Sequence, residues 1–312
     1  MKQSHREPRP RSWIVADGSS GGTLEIGGLE WGSGEALVLL LHANGFCAAT
    51  WDDVARGLAT HYRVIALDAR GHGDSSVPPS PAAYRWHHLV ADVDQVVAAL
   101  LVETGCRSVA LCAGSSLGGV IAAALAAERP GVLARVTMLD PPVVPDDETR
   151  AMLGLHWPES GPADLVEQAR RRRRHWPSRT AAAAGWRDKP IFAGWTERAF
   201  QRYLTHGLRD DAQGVTLACA PEVEAAIFQH TASIELYDRA AGITAPVHIV
   251  RASGGRFPPG LYEALAAKIP RGRVSTLTGG HLLPMEVPGA VTELLLQDLR
   301  ISATTHLADP GR

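Results

Sequence analysis

Short apolar runs recur along this 312-residue chain and alternate with longer amphipathic segments. The first run, at residues 36–43, is almost wholly apolar. Runs of this length and composition are typical of strands that are buried on both faces of a sheet. The predicted strands are residues 36–43, 63–69, 108–113, 134–139, 247–252 and 273–278.

The segments between these runs have the pattern of helices. The helix predicted at 117–129, for example, is rich in alanine and is closed by Pro130 and Gly131. Alternating buried strands and helices predict an α/β fold in which a mostly parallel sheet is flanked by helices on both faces. The predicted helices are residues 51–60, 84–104, 117–129, 261–269 and 287–301.

The alternation stops after Asp140 and resumes only near residue 247. Residues 141–237 instead predict helices broken by prolines, which we interpret as a helical cap inserted into the fold. The predicted core domain therefore consists of residues 1–140 and 238–312. Within it, residues 1–12 and 303–312 are expected to be flexible tails.

The predicted cap is rich in aromatic residues. It holds Trp157, Trp176, Trp186 and Trp195 among the chain's eight tryptophans. A pocket beneath such a cap favours an apolar or aromatic substrate, and the pocket residues proposed from the sequence are Phe46, Trp186 and Trp195. The alternative is that these aromatic side chains form a small core of the cap itself.

The charge balance argues against a polyanionic partner. The formal net charge is -2 and the pI is about 6.7, so no general basic field exists to recruit nucleic acid or an anionic membrane. No run approaches transmembrane length, and no apolar signal-peptide core follows the basic amino terminus. We therefore expect a soluble cytoplasmic enzyme acting on a small-molecule substrate, with a homodimer left open. The cysteine spacing indicates no metal, and no cofactor is implied.

Five consecutive arginines, residues 170–174, form a local concentration of charge. Consecutive residues point all round a helix, and Glu167 stands at helical spacing from Arg170 and Arg171. We interpret the run as a solvated helix face rather than as a nucleic-acid site. The alternative left open is that one or two of these arginines reach inward and bind a substrate carboxylate.

A candidate nucleophile follows the predicted strand at 108–113. Residues 114–118 read Gly-Ser-Ser-Leu-Gly and lead into a predicted helix, so they match G-x-S-x-G at a strand-to-helix turn. The glycines let strand and helix approach closely, and free backbone N–H groups lie beside a serine at a helix amino terminus. We identify Ser116, rather than Ser115, as the candidate nucleophile, because it has glycine two positions away on both sides. The alternative is a phosphate-binding or merely tight turn.

The segment after the first predicted strand adds a resemblance to the α/β-hydrolase superfamily. Residues 42–46 read His-Ala-Asn-Gly-Phe where many members have a loop that begins His-Gly-x-Pro. The resemblance implies an oxyanion hole formed by the backbone N–H groups of Asn44 and Leu117. Alanine and glycine replace the commoner glycine and proline, so a one-residue slip of the first donor stays open. His42 and the family-like polar loop at 67–75 are expected to hold the loops in place.

The resemblance also identifies a general base, which hydrolysis by serine requires. His281 follows the last predicted strand and a pair of glycines, and it precedes an apolar, proline-marked stretch. The catalytic histidine of the family occupies such a loop. Glu286 is expected to contact this loop or the start of the final helix.

The acidic partner departs from the usual family pattern. The usual position, after the strand at 247–252, offers no carboxylate before Glu263, which falls inside the next predicted helix. A minority of the superfamily carries the acid one strand earlier, at the position of Asp140. Its order between Ser116 and His281 is the order of this fold. We therefore assign the acid to Asp140; the alternative is that it caps the turn into the insertion.

Together these residues resemble a cap-bearing serine esterase or lactonase with the acid after the strand that precedes the cap. The resemblance implies that His281 deprotonates Ser116, which attacks the carbonyl of a small apolar or aromatic ester or lactone, and that water then releases the acyl group. C–C bond hydrolysis or acyl transfer would use the same triad. Serine at the elbow excludes the aspartate nucleophile of epoxide hydrolases and haloalkane dehalogenases. A noncatalytic small-ligand receptor on this fold is the alternative from a different class.

Overall fold

The computed structural model describes residues 7–155, 162–231 and 234–300 of the chain. The strands, numbered in chain order, are β1 (Arg9–Ala16), β2 (Thr23–Trp31), β3 (Leu37–Leu41), β4 (Arg63–Leu67), β5 (Leu111–Ser115), β6 (Val136–Leu139), β7 (His175–Trp176), β8 (Leu208–Asp211), β9 (Gly214–Leu217), β10 (Val247–Ala252) and β11 (Gly272–Leu277). The main sheet has the order β1-β2-β4-β3-β5-β6-β10-β11 within these ranges, and a second, small sheet has the order β7-β9-β8.

Helices connect these strands. They are α1 (Asp52–Leu58), α2 (Trp86–Thr104), α3 (Leu117–Glu128), α4 (Asp147–Leu153), α5 (Ala163–Arg170), α6 (Arg179–Trp186), α7 (Glu197–His206), α8 (Pro221–Gln229), α9 (Leu236–Arg239), α10 (Pro259–Lys268), α11 (Leu283–Glu286) and α12 (Pro288–Arg300). None of the helices in the described ranges is both long and apolar enough to cross a membrane.

The predicted mostly parallel sheet is confirmed. The six strands predicted from the sequence are β3, β4, β5, β6, β10 and β11, and each pairs in parallel with its neighbours among them. Their bounds differ from the predicted ones by at most three residues. Parallel strands bring their carboxyl ends to one edge of the sheet, where the candidate residues of the site follow β3, β5 and β6.

The predicted flexible amino-terminal tail is wrong for residues 9–12. These residues begin β1, which pairs antiparallel with β2, and β2 pairs antiparallel with β4. The pattern is hard to read from sequence, because only Trp13 and Val15 of β1 are buried and β2 contains two glycines. A Cβ atom at Gly28 would lie 2.6 Å from the Ala66 carbonyl oxygen, so close packing against β4 requires glycine there. The remaining predicted tails, residues 1–6 and 303–312, lie outside the described residues.

The segment predicted as a helical cap contains more than helices. Helices α4 to α8 lie in it, but so does the small antiparallel sheet of β7, β8 and β9. These strands are two to four residues long, too short for an alternating pattern to stand out in the sequence.

Buried apolar side chains form two large clusters, one on each face of the main sheet. Along β3, Leu37, Leu39 and Leu41 belong to the first cluster and Val38 and Leu40 to the second, as expected when successive side chains point to opposite faces. Helices α2, α3 and α10 contribute to the first cluster, and α1 and α12 to the second. The second cluster also includes most of the buried aromatic residues of the insertion, which packs on the core.

Candidate active site

Ser116 lies at the sharp turn from β5 into α3. Its backbone has φ 51°, in a region that residues other than glycine rarely adopt. A Cβ atom at Gly114 would lie 2.0 Å from the Gly118 carbonyl carbon, and one at Gly118 would lie 2.2 Å from the Leu41 carbonyl oxygen. The glycines on either side of the serine therefore let β3, β5 and α3 meet at backbone contact distance.

His281 lies in the loop between β11 and α11, as its sequence position predicts. Its Nε2 atom is 3.0 Å from Ser116 Oγ, a hydrogen-bond distance. The Glu286 carboxylate accepts the backbone N–H groups on both sides of this histidine, from Gly280 at 2.5 Å and from Leu282 at 3.1 Å. The sequence predicted a contact here but gave no sign that one side chain would bracket the histidine.

Asp140 is fully buried at the carboxyl end of β6, and its Oδ2 atom lies 2.7 Å from His281 Nδ1. Its Oδ1 atom accepts two further hydrogen bonds, from the Ala252 N–H at 2.9 Å and the Tyr262 hydroxyl at 3.1 Å. Burial, together with the Asp140 carboxylate, raises the pKa of Tyr262, so its hydroxyl stays protonated and can donate. Tyr262 lies in α10 and was not found from sequence, where it reads as a core residue.

The loop after β10, where the acid is more usual, passes directly beside Asp140. A Cβ atom at Gly255 would lie 2.7 Å from both carboxylate oxygens of Asp140. Only a residue without a side chain leaves room for the carboxylate there. The usual position of the acid has no carboxylate in this sequence because the glycine-rich segment there leaves room for the side chain of Asp140.

The two predicted oxyanion donors, Asn44 and Leu117, border the same cavity as Ser116. Leu117 is the first residue of α3, so its N–H has no acceptor within the helix. Among the described residues, the Asn44 N–H likewise donates no hydrogen bond, while its side-chain Nδ2 donates to the Glu224 carbonyl oxygen at 3.0 Å. Both backbone N–H groups are therefore available beside the serine.

Two buried histidines hold the loop that carries Asn44. His42 donates from Nδ1 to the Ala43 carbonyl oxygen at 2.8 Å and accepts the Ala69 N–H at Nε2, 3.0 Å away. His72 accepts the Gly45 N–H at Nε2, also at 3.0 Å. Burial, with a contribution from His42, lowers the pKa of His72 to about 3, so this ring is neutral and can accept. The structural role expected for His42 and for the loop at 67–75 agrees with these contacts.

A cavity of about 320 Å³ opens beside Ser116 and His281. The main domain lines it with Asn44, Trp86, Ser116, Leu117, Phe257 and His281. The insertion lines it with Pro142, Pro162, Leu165, Ile227, Phe228 and Thr231. The surface is mostly apolar, and no lysine, arginine, aspartate or glutamate side chain lines it within the described ranges.

The pocket residues proposed from the sequence do not line this cavity. Phe46 packs on Trp195, with ring centroids 5.3 Å apart, and Trp186 stacks on Tyr203 at 5.1 Å. All three proposed residues belong to the second hydrophobic cluster, because aromatic rings of the insertion bury one another against the core. For Trp186 and Trp195, the structure favours the alternative interpretation, a core formed by aromatic residues of the insertion. Trp157 lies outside the described residues.

Metal-ligating side chains do not cluster in the part of the chain that the structure describes. Within residues 7–155, 162–231 and 234–300, no group of three or more histidine, cysteine, aspartate or glutamate side chains is arranged to hold a metal ion. The chemistry available at the site is that of a serine hydroxyl, an imidazole, a carboxylate and free backbone N–H groups.

Sequence relatives match part of the chain. It is 30% identical over 109 residues to Epoxide hydrolase 4 of Mus musculus, an alignment that covers 35% of this chain and 29% of that protein. It is 34% identical over 128 residues to the putative non-heme haloperoxidase of Mycobacterium phage D29, covering 41% of each chain. The chain thus spans less than half the length of these curated relatives.

Two further comparisons extend over nearly the whole chain. The peroxisomal alpha-beta-hydrolase Lpx1 of Saccharomyces cerevisiae has the same fold, with a TM-score of 0.78 at 15% identity, covering 99% of this chain and 92% of that chain. Residues 38–294 match the sequence model of the Alpha/beta hydrolase family. The α/β-hydrolase fold predicted from the sequence is therefore confirmed, and the chain belongs to the alpha/beta hydrolase family.

Proposed function

We propose that this protein is a serine hydrolase that cleaves a carboxylic ester or lactone through an acyl-enzyme. The observation that carries the proposal is the array in which His281 lies 3.0 Å from Ser116 Oγ and 2.7 Å from Asp140. A nucleophile, a base within hydrogen-bond reach and an acid that orients the base are the parts that nucleophilic catalysis by serine requires. They meet at the edge of a cavity that can admit a substrate.

In the proposed reaction, His281 Nε2 takes the Ser116 proton as Oγ attacks the substrate carbonyl. The N–H groups of Asn44 and Leu117 stabilise the resulting oxyanion. Asp140 accepts the Nδ1–H hydrogen bond and stabilises the imidazolium. The imidazolium protonates the departing alkoxide, which leaves an acyl group on Ser116, and water activated by the same imidazole then releases the acid and restores the serine.

The cavity lining supports a neutral, largely apolar substrate. Trp86, Phe228 and Phe257 supply aromatic surface, and leucine, isoleucine and proline side chains supply most of the rest. A charged acyl or alcohol group would lose its hydration there without gaining a counter-charge, which disfavours binding. The volume of about 320 Å³ is at the small end of ligand pockets.

Other reactions use the same machinery. C–C bond hydrolysis and acyl transfer share the triad, and no described contact separates them from ester hydrolysis. Relatives named epoxide hydrolases match parts of the chain, but an aspartate nucleophile is excluded because Ser116 occupies the elbow. A noncatalytic receptor is disfavoured, since ligand binding alone would not need a base within 3.0 Å of a serine at a strained elbow.

A fluorophosphonate probe and a substrate panel test the proposal. The probe phosphonylates an activated serine, so wild-type protein should be labelled on Ser116 and the Ser116→Ala variant should not. The panel consists of aryl esters, alkyl esters and lactones, each with apolar and with carboxylate-bearing members. We expect turnover of the apolar members and none by Ser116→Ala. Absence of labelling on Ser116 in folded protein would refute the proposal.

A further inference from the structure

The five consecutive arginines do not share one environment. Helix α5 ends at Arg170, so residues 171–174 are not the helix face predicted from the sequence. Arg170, Arg171, Arg173 and Arg174 are exposed, whereas the Arg172 side chain is 27% exposed. Arg172 does reach inward, as one alternative from the sequence had it, but it does not line the cavity.

Arg172 joins three parts of the insertion. Its guanidinium forms an ion pair with Glu224 of α8 and donates to the Tyr203 hydroxyl of α7 at 3.3 Å. Because the charge of Arg172 is neutralised by Glu224, it is not available to a substrate carboxylate. Its contacts with Glu224 and Tyr203 indicate a structural role rather than substrate binding.

The ion pair rests on the backbone of the loop that carries Asn44. A Cβ atom at Gly45 would lie 2.8 Å from Glu224 Oε1 and 3.1 Å from Arg172 Nη1. Gly45 also has φ 84°, which favours glycine. The glycine found here in place of the commoner proline thus admits the ion pair against the loop.

Hydrogen bonds from the same residues fix the loop directly. The Tyr203 hydroxyl donates to the Gly45 carbonyl oxygen at 3.0 Å. The Glu224 carbonyl oxygen accepts from the Asn44 side chain, also at 3.0 Å. On the opposite side, His72 of the main domain accepts the Gly45 N–H. The loop is held between the insertion and the main domain by the N–H and C=O groups of Gly45 and by the Asn44 side chain.

We propose that Arg172, Tyr203 and Glu224 form an oxyanion-loop clamp: positioning residues by which the insertion sets the Asn44 N–H in the oxyanion hole. The inference rests on the proposed function, since it assigns Asn44 a part in that reaction. An oxyanion donor is effective only near its productive position, because its advantage over water comes from being fixed before the reaction begins. The side chain of Asn44 is committed to the clamp, which leaves its backbone N–H for the cavity.

The experiment compares Arg172→Met and Tyr203→Phe with the matched control Arg171→Met. Arg171 belongs to the same run of arginines, and its ion pair with Glu167 lies on the surface. Hydrolysis of p-nitrophenyl butyrate gives kcat, KM and the pH profile. Removing one oxyanion donor outright costs roughly 10²–10³-fold, so displacing one should lower kcat by about 10–10²-fold. We expect KM and the apparent pKa of the profile to be unchanged, because the triad is untouched.

A second measurement does not depend on activity. Hydrogen–deuterium exchange of the peptide that contains Asn44 and Gly45 should be faster in both clamp variants and unchanged in Arg171→Met. Wild-type kcat and wild-type exchange in Tyr203→Phe, which removes only a hydroxyl group, would overturn the inference even where Arg172→Met fails to fold. If wild-type protein hydrolysed no ester or lactone, the proposed function would fail, and unchanged exchange in the variants would separately refute the clamp.

Discussion

Two residues of the site, Ser116 and Asp140, adopt positive φ without being glycine. Their φ values are 51° and 45°, and among the described residues no other non-glycine residue has positive φ. Each follows the end of one of two adjacent parallel strands, β5 and β6. Such backbones cost on the order of 1–3 kcal/mol each and persist where the surrounding structure enforces them. The strain at the two positions turns both side chains toward His281.

The first prediction concerns the identity of the acid. In Asp140→Asn, the amide can present N–H rather than oxygen to His281 Nδ1, which favours the wrong tautomer of the ring. We expect kcat to fall by roughly 10³–10⁴-fold while the fold is retained. Steady-state kinetics with circular dichroism as the check on folding measures this. Glu263→Gln is the matched control, because Glu263 is exposed on α10 and should leave the rate unchanged; near-normal turnover in Asp140→Asn would sink the assignment.

At the scale of elements, the site depends on where parallel strands end. β3, β5 and β6 deliver the oxyanion loop, the serine and the acid to one edge of the sheet, and the loop after β11 delivers the histidine. The histidine lies four residues beyond the end of its strand, whereas the serine and the acid directly follow theirs. Glu286, at the end of α11, compensates by accepting the N–H groups of Gly280 and Leu282.

The second prediction follows from this bracket. Glu286→Leu removes both acceptors and should lower kcat/KM by about 10-fold, since small misplacement of a catalytic group can cost up to roughly 10²-fold. Glu286→Gln keeps one acceptor oxygen and should therefore recover part of the loss. Kinetics of both variants beside the exposed control Glu293→Gln measures the effect. Equal rates in all three variants would show that the loop is held by other contacts.

At the scale of the whole molecule, serine, histidine and aspartate form a hydrogen-bonded array twice among the described residues. In the second array, His248 Nε2 lies 2.7 Å from Ser275 Oγ and Nδ1 lies 2.9 Å from Asp298 Oδ2. Ser275 is in the middle of β11, so no helix amino terminus supplies free N–H groups beside it. The second array instead joins β10 and β11 to α12, and Thr137 of β6 extends it.

The third prediction separates the two arrays. Ser275→Ala should keep wild-type ester turnover and fluorophosphonate labelling, because Ser275 lies neither at a nucleophile elbow nor beside an oxyanion hole. Losing its hydrogen bond should lower the free energy of unfolding by about 0.5–1.5 kcal/mol. Mass spectrometry of labelled wild-type protein gives the site directly; label on Ser275 would contradict the distinction drawn between the arrays.

The fourth prediction is a pH dependence of stability. Burial alone would raise the pKa of Asp298, but hydrogen bonds from His248 and Thr137 and the charge of Arg273 outweigh it and hold that pKa below its usual range. A carboxyl group with a lower pKa in the folded state stabilises that state above its unfolded pKa. The contribution is lost as the pH falls through the folded pKa.

We therefore expect Asp298→Asn to lower the free energy of unfolding by about 1–3 kcal/mol near neutral pH. The difference from wild type should shrink as the pH falls below about 4. Urea denaturation of both proteins between about pH 3 and pH 7 measures it. A difference that stays constant over this range would show that the charge of Asp298 is not what stabilises α12 on the sheet.

The local sequence pattern was enough to predict the parallel strands of the main sheet and the catalytic residues at its carboxyl edge. The apolar runs identified β3, β4, β5, β6 and β10, because strands buried on both faces must be apolar throughout. β11, an edge strand with no buried residue, was predicted as the last strand of the resumed alternation. The elbow and the histidine loop were found because glycines and prolines there are imposed by short-range backbone geometry. β1, β2 and the small sheet of the insertion were missed, because only two residues of β1 are buried, β2 contains two glycines and the strands of the small sheet are two to four residues long.

The residues that line the cavity could not be predicted from the local sequence pattern. Trp186 and Trp195 pack in a core while Trp86, Ile227 and Phe228 face the cavity, although all five are apolar side chains in helical or adjoining segments. Which apolar side chains bury one another and which border an open space depends on how the insertion is placed over the sheet. The order of strands and catalytic residues along the sequence was enough to predict that a serine, a histidine and an aspartate lie at the carboxyl edge of the main sheet. Only the tertiary structure decided that Gly255 makes room for Asp140 and that Arg172 is turned inward, because both depend on contacts between segments far apart in the sequence.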